Sequence, residues 1–110
     1  MAYSVVDVSR LEGRRKLVAR ELGAHAIRLN QFDNEPGQAG KEHDELESGQ
    51  EEIYVALRGR GVLRVDAAEV ALEPGRYVLV TPDSTRQVVA GPEGLAYAVV
   101  GARVESAAPG

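Results

Sequence analysis

A histidine and two glutamates stand close together near the middle of this chain, and they are the residues best suited to chemistry. His43, Glu45 and Glu52 offer one imidazole and two carboxylates. Fe, Mn, Ni and Zn accept these ligand types in proteins, so the set is able to hold a divalent transition metal. The alternative is that His43 is a rim histidine in an acidic loop. Acid–base chemistry by histidine depends on His43, because His25 alternates in phase with apolar residues and is expected to be a packed or surface residue.

Short apolar runs, separated by glycine and proline, must position these side chains, and they predict an all-β domain. We expect strands over residues 3–8, 24–32, 52–57, 62–66, 69–72, 77–80, 86–90 and 95–100. The glycines of the segment 59–61 predict a hairpin between the third and fourth of these strands, and residues 91–94 predict a turn. One short helix is expected over residues 14–22, ending at Gly23. Many short strands with a single helix indicate an antiparallel sandwich or barrel of the jelly-roll type.

The length of the chain supports one domain. Its 110 residues suffice for a single core, and we expect residues 1–23 to form an N-terminal strand and helix, 24–103 the barrel, and 104–110 a tail. There are no cysteines, which excludes disulfides and thiolate metal sites.

Charge and hydropathy argue against two classes of partner. The formal net charge is -4, from 17 acidic and 13 basic side chains, so nucleic-acid binding is not expected. The first residues lack the apolar core of a signal peptide, and no apolar run approaches the roughly 18 residues of a membrane span. We therefore expect a soluble, cytoplasmic protein with no membrane partner. The basic run over residues 10–20 is interpreted as a solvated helix face.

The segment around His43 resembles the first signature motif of the cupin family, which has the pattern G(X)5HXH(X)3,4E(X)6G. Gly37, His43, Glu52 and Gly59 stand at motif positions. Glu45 takes the place of the second histidine, and the spacing between Glu45 and Glu52 is six residues instead of three or four. The longer spacing predicts a bulged loop between the two glutamates.

A later segment resembles the second cupin motif, G(X)5PXG(X)2H(X)3N, in place and in strand pattern more than in residue types. Gly75 opens it. Thr81, Asp83, Arg86 and Ala90 then stand where the motif has proline, glycine, histidine and asparagine.

The resemblance covers residues 24–102 and implies a small single-domain bacterial cupin with an antiparallel jelly-roll barrel. A barrel of this size is able to leave a mouth for one small ligand. In metal-binding cupins, ligands from both motifs converge on one cation, which implies His43, Glu45 and Glu52 as the metal ligands here. The resemblance also implies a homodimer.

Arginine at position 86, where the motif has its fourth metal ligand, argues against a metal. Arginine stays protonated and has no lone pair to offer, and a fixed positive charge repels a divalent cation. The same charge is able to neutralise an inward carboxylate such as Glu52. We therefore predict an internal Arg86–Glu52 ion pair in preference to a metal centre. A slip of one residue would instead present Gln87, a weak oxygen ligand, because each slip reverses the faces of a strand.

Three further residues are candidates for the wall of a ligand cavity. Tyr54 shares a strand face with Glu52 by alternation, and core packing is the alternative role for it. Arg28 and Asn30 share one face of their strand, which lines either the cavity or the solvent side. With Glu52 and Arg86, these residues form the predicted ligand-binding set, in which Arg86 would give a fixed donor fork for an anionic group.

Three functions remain open, and we rank them in the following order. The first is a small-molecule-binding cupin with a degenerate metal site that recognises a small anionic or polar ligand. The second is a metal-dependent cupin enzyme, such as an isomerase, cyclase or dioxygenase, that uses His43, Glu45 and Glu52. The third is a dimeric scaffold without a ligand. No cofactor is expected, apart from the divalent metal that the second function requires.

Overall fold

The computed structural model describes residues 2–105, and antiparallel strands dominate it. Its elements are β1 (Arg15–Lys16), α1 (Val18–Leu22), β2 (Arg28–Asn34), β3 (Gln50–Val65), β4 (Ala68–Leu72), β5 (Tyr77–Val80) and β6 (Arg86–Arg103). Every strand pair is antiparallel. The predicted all-β antiparallel fold with one short helix is therefore confirmed.

Two long strands form the centre of the sheet. β3 and β6 pair along their length, from Gln50 opposite Arg103 to Val65 opposite Arg86. The first half of β3 also pairs with β5, and its second half pairs with β4. The sheet order is β1-β2-β6-β3-β4, with β5 attached to β3. Because β3 and β6 change neighbours along their length, they carry the sheet around the barrel.

The hairpin predicted between residues 52–57 and 62–66 is wrong, because both segments belong to the continuous strand β3. The register between β3 and β6 shifts near Gly59 and again before Gly61, so these glycines bend the strand without reversing it. The turn predicted over residues 91–94 is likewise a bend inside β6. In both cases glycine allows the backbones of two strands to lie close together. Glycine is also typical of turns, so sequence alone does not distinguish the two roles.

The N-terminal prediction is also wrong in part. Residues 3–7 form no strand, and Val8–Arg10 makes a 3-10 turn. The helix begins at Val18 and not at residue 14, because Arg15–Lys16 forms a short strand against β2. The helix ends at Gly23 as predicted. Of the tail predicted over 104–110, only residues 104 and 105 lie within the described residues. No helix in the described part of the chain is long and apolar enough to cross a membrane.

Aliphatic side chains fill one part of the barrel and leave another part open. Leu63, Leu72 and Val80 are fully buried at the closed part. Other members of the same core also face a cavity, namely Tyr54, Val88, Tyr97 and Val99. The floor of the cavity is therefore the packed core itself, which fixes the positions of the side chains above it.

We predict that Gly59→Ala lowers the free energy of unfolding by about 2–5 kcal/mol, because it combines a left-handed backbone with a steric clash. Gly59 has φ 79°. A Cβ there would lie well inside van der Waals contact with the Gly94 carbonyl oxygen. Gly75→Ala is the matched control, because Gly75 has φ 94° but open space around its Cβ position. It should cost only about 1–2 kcal/mol in urea denaturation. Equal costs for the two variants would contradict the close approach of β3 and β6.

Candidate ligand and metal site

The open part of the barrel holds a cavity of about 430 Å³, a size suited to a small molecule. All seven residues predicted to bind a ligand or a metal lie in its wall. They are Arg28, Asn30, His43, Glu45, Glu52, Tyr54 and Arg86. The structure thus brings together residues from β2, β3, β6 and the loop that precedes β3.

Backbone pairing places His43 beside Arg86. His43 N donates to the Arg86 carbonyl oxygen at 3.0 Å, and Arg86 N donates to the His43 carbonyl oxygen at 2.8 Å. Side chains of directly paired residues in antiparallel strands lie on the same face. The loop that carries His43 therefore acts as a short strand that directs its imidazole to the same interior as Arg86.

The three predicted metal ligands converge. His43, Glu45 and Glu52 each offer a ligand atom, and these atoms all lie within 4.8 Å of one another. Glu45 N also donates to the Pro82 carbonyl oxygen at 2.9 Å, which fixes the loop despite the long spacing between the glutamates.

His43 and Glu45 form a polar pair of their own. His43 Nδ1 lies 2.8 Å from Glu45 Oε2, and the Ser48 hydroxyl donates to Glu45 Oε1 at 2.7 Å. A carboxylate that accepts a hydrogen bond from Nδ1–H fixes the tautomer of the ring and leaves Nε2 as the free lone pair. His43 thus keeps one ring nitrogen free of the hydrogen bond with Glu45.

Arg86 forms the predicted ion pair with Glu52, but its terminal nitrogens do not face the cavity. Its Nε lies 3.5 Å from Glu52 Oε1, and its side chain is 0% exposed. The terminal nitrogens donate to the carbonyl oxygens of Ser84 at 2.9 Å, Thr81 at 3.0 Å and Val80 at 3.4 Å. Nε itself has no hydrogen-bond partner among the described residues. Arg86 therefore supplies charge beside Glu52, and the donor fork expected for a ligand is used on the backbone.

Tyr54 holds the same carboxylate oxygen. Its hydroxyl donates to Glu52 Oε1 at 2.8 Å. Burial raises the pKa of the Tyr54 phenol well above its usual range, and the charge of Glu52 raises it further. Tyr54 is therefore a permanent hydrogen-bond donor at physiological pH. With Arg86, it fixes the position of Glu52 and lowers the cost of burying its charge.

The cavity wall also carries several cations, which sequence reasoning missed in part. Arg14, Arg15 and Lys41 line the cavity together with the predicted Arg28. Arg14 and Arg15 belong to the run that was interpreted as a solvated helix face. Arg15 instead begins β1, which pairs with β2 so that Arg15 is opposite Phe32, and Arg14 directly precedes that strand. A two-residue strand carries too little sequence pattern to be found by alternation.

Three aromatic rings stack on one another in the cavity wall. The Tyr97 ring lies 5.1 Å from Phe32 and 6.3 Å from Tyr54, measured between ring centroids. Burial raises the pKa of Tyr97 to about 12, although the Arg14 guanidinium acts in the opposite direction. Both buried tyrosines are thus neutral in the working protein.

This pKa predicts a loss of stability at alkaline pH. An unfolded tyrosine loses its proton near its ordinary pKa of 10.0, whereas folded Tyr97 keeps it to about 12. The contribution of Tyr97 to the free energy of unfolding is fully present below pH 10 and is lost as the pH rises to 12. It amounts to roughly 2–3 kcal/mol. Tyr97→Phe removes this dependence, so the unfolding free energy of wild type should fall relative to that of the variant over that window. Tyr3→Phe, at an exposed site, is the control. A constant difference would contradict the account.

Comparison with known proteins identifies the fold. No protein-family model matches the chain, and no curated protein does. Among solved structures, a cupin protein from Bacteroides fragilis is 20% identical with a TM-score of 0.83, covering 100% of this chain and 92% of that one. A sugar phosphate isomerase from a cupin superfamily, from Silicibacter pomeroyi, is 23% identical with a TM-score of 0.74, covering 91% and 76%. A predicted oxalate decarboxylase from Thermotoga maritima is 18% identical with a TM-score of 0.70, covering 82% and 79%.

These similarities establish the fold. The chain has the fold of small cupin proteins, the jelly-roll barrel that the motif resemblance implied. The identities are low, so they establish the fold, and the function has to be argued from the site.

Proposed function

We propose that this protein binds a small anionic or polar molecule in the barrel cavity, at a cupin metal site that has become degenerate. The observation that carries the proposal is the buried Arg86, which pairs with Glu52 beside an open cavity. A cupin that holds a divalent cation has no use for a fixed positive charge at that position. A cavity that has lost its cation does need one, because Glu52 would otherwise be a poorly compensated buried charge.

The geometry supports this replacement in three ways. First, Arg86 is held by three backbone carbonyls, so its charge cannot swing away without breaking those hydrogen bonds. Second, Tyr54 and Arg86 both engage Oε1 of Glu52, which satisfies one oxygen of that carboxylate without a metal. Third, the cavity wall includes Arg14, Arg15, Arg28 and Lys41, and their charges attract an anion without the help of a metal.

Ligand binding in the cavity is testable by NMR. A panel of small carboxylates, phosphates and polyols should shift the backbone amide signals of Val88 and Val99 in the cavity wall, and leave Leu79 on the outer face unchanged. Asn30→Trp should fill part of the mouth and weaken binding by at least about tenfold. Gln31→Trp is the matched control, because Gln31 is the next residue on β2 and does not line the cavity. A panel in which no compound shifts the cavity signals would contradict the proposal.

A metal-dependent enzyme is the second candidate, and the convergence of three ligand atoms within 4.8 Å favours it. The residue types fit Fe, Mn, Ni or Zn, which would act as a Lewis acid toward a bound substrate. His43 would bind through imidazole, and Glu45 and Glu52 through carboxylate oxygens. The charge of Arg86 opposes this candidate, which is why it ranks second. Metal titration separates the two, as described in the Discussion.

We further propose a homodimer, on the basis of an apolar outer face formed by β3 and β5. Ile53, Leu57, Tyr77 and Leu79 are exposed there, Tyr77 by 74% and Leu79 by 56%. Ile53 is directly opposite Leu79, so the exposed side chains are contiguous. Burial of such a patch between two copies is favourable.

Light scattering should give twice the mass of the chain for wild type and the mass of one chain for Leu79→Glu. A wild-type monomer at micromolar concentration would contradict the dimer. A dimer that binds nothing in its cavity would favour the scaffold function.

A further inference from the structure

One guanidinium in the cavity wall is held in place without a carboxylate. Arg14 Nη1 donates to Asn34 Oδ1 at 2.7 Å, and its guanidinium carbon lies 5.2 Å from the centroid of the Phe32 ring. Asn34 is itself buried. A hydrogen bond and an aromatic face therefore fix the orientation of this half-buried cation, and they do so with neutral groups that leave its charge uncompensated.

Of the carboxylates that line the cavity, Glu45 and Glu52 pair with other side chains, and Asp44 accepts a hydrogen bond from Leu46 N at 3.0 Å. Asp33, on the strand beside Arg14, pairs with Lys16. Burial acts to raise the pKa of Asp33, but the hydrogen bond and charge of Lys16 hold that pKa below its usual range. Glu45 pairs with His43, and Glu52 with Arg86. Within residues 2–105, Arg14 forms no ion pair.

The other cations of this wall are also without ion pairs among the described residues. They are Arg15, Arg28 and Lys41, and all three are exposed at the mouth. Several like charges at one mouth repel one another, and a protein tolerates that arrangement most easily where an anion binds. Glu45 and Glu52 line the same cavity and present carboxylate oxygens, which accept hydrogen bonds from hydroxyl groups.

We propose that Arg14 binds the anionic group of the ligand, and that the ligand carries a carboxylate or phosphate at one end and hydroxyl groups at the other. The anion meets the remaining N–H groups of Arg14, with Arg28 and Lys41 adding attraction from the mouth. The hydroxyl groups donate to the carboxylates of Glu45 and Glu52. Arg86 plays no direct part in the contact, because its terminal nitrogens are used on the backbone. This inference rests on the proposed function, since it names the ligand class of that same cavity.

Four small probes separate the contributions of the two ends. Glycerol 3-phosphate and glycerate carry both an anion and hydroxyl groups, glycerol has hydroxyl groups alone, and inorganic phosphate has the anion alone. Dissociation constants come from amide shifts of Val88 and Val99 in NMR titrations at fixed low salt. For wild type, we expect glycerol 3-phosphate or glycerate to bind at least tenfold more tightly than either glycerol or inorganic phosphate. Whichever of glycerol 3-phosphate and glycerate binds more tightly indicates whether the natural anion is a phosphate or a carboxylate.

The variants assign the anion contact to one residue. Arg14→Gln should weaken the charged probes by at least tenfold and leave glycerol unchanged. Arg76→Gln removes the same charge from an exposed site outside the cavity wall, and it should change every constant by less than twofold. Arg14→Lys keeps the charge without the planar donor fork, so it should give intermediate affinity and serves if Arg14→Gln does not fold.

The outcomes distinguish this inference from the function on which it rests. Charged probes that bind the cavity of Arg14→Gln as tightly as wild type would overturn the role of Arg14 and leave cavity binding intact. Glycerol that binds wild type as tightly as its phosphate would overturn the anionic ligand class. Cavity signals that no probe shifts in wild type would overturn the proposed function together with this inference.

Discussion

Replacing Arg86 by methionine is expected to lower the free energy of unfolding by about 3–5 kcal/mol. The Arg86 side chain is 0% exposed, and the variant leaves Glu52 without its cationic partner in the barrel interior. It also removes the donors that satisfy the carbonyl oxygens of Val80, Thr81 and Ser84. Domains of this size have a total stability of about 5–15 kcal/mol, so the variant should unfold at a much lower urea concentration than wild type.

An exposed ion pair in the same fold provides the control. Arg64 contacts Glu69 at 3.1 Å in the β3–β4 hairpin, but the Arg64 side chain is 53% exposed. Arg64→Met should therefore cost at most about 1 kcal/mol. Adding Glu52→Gln to Arg86→Met should recover part of the loss, because it removes the unpaired charge. If Arg86→Met and Arg64→Met had equal cost, or if Glu52→Gln gave no recovery, the internal ion pair would not be the origin of the effect.

Replacing Arg86 by histidine is expected to raise the affinity for divalent transition metals by about two orders of magnitude or more. At an effective dielectric constant of about 20, a unit charge about 4 Å away contributes roughly 4 kcal/mol of repulsion to each positive charge of the cation. The variant removes that repulsion and adds an imidazole beside the three converging ligand atoms. Titration with Zn(II) and Ni(II), followed by calorimetry, measures the gain.

Two controls establish where the metal binds. Arg64→His places a new imidazole on the exposed hairpin and should leave affinity unchanged. His43→Ala added to Arg86→His should remove most of the gain. An Arg86→His protein with wild-type affinity would show that a factor other than the charge of Arg86 prevents metal binding.

The site residues on the long strands were the most predictable part of the protein. Alternation on β3 put Glu52 and Tyr54 on one face, and the motif spacing placed Arg86 near them. Once those strands pair, the chemistry of an arginine beside a glutamate determines the contact, and the predicted ion pair is present at 3.5 Å. Local pattern suffices here because a strand fixes the direction of every second side chain.

Features set by tertiary pairing were not predictable in the same way. The bend in β3 at Gly59 has the sequence of a turn. Only the close contact with the backbone of Gly94 in β6 shows that the strand continues through it. The sequence predicted a helix from Arg14 onward. The short strand β1 that follows Arg14 exists only through its pairing with β2, which local sequence does not show. For Arg28 and Asn30, alternation gave two possible faces, and the structure places both residues in the cavity wall. Whether a barrel is open or filled depends on the sum of side-chain volumes, which no local pattern reports.

The most direct test of a degenerate metal site is the metal affinity of the unaltered protein. Wild type and His43→Ala should be titrated with Fe(II), Mn(II), Ni(II) and Zn(II), and their metal content measured after purification and after supplementation. We expect no tight binding of one equivalent in wild type, and no difference between the two proteins. One equivalent that binds wild type tightly and is lost in His43→Ala would contradict the account, and the metal-dependent enzyme would then be the leading function.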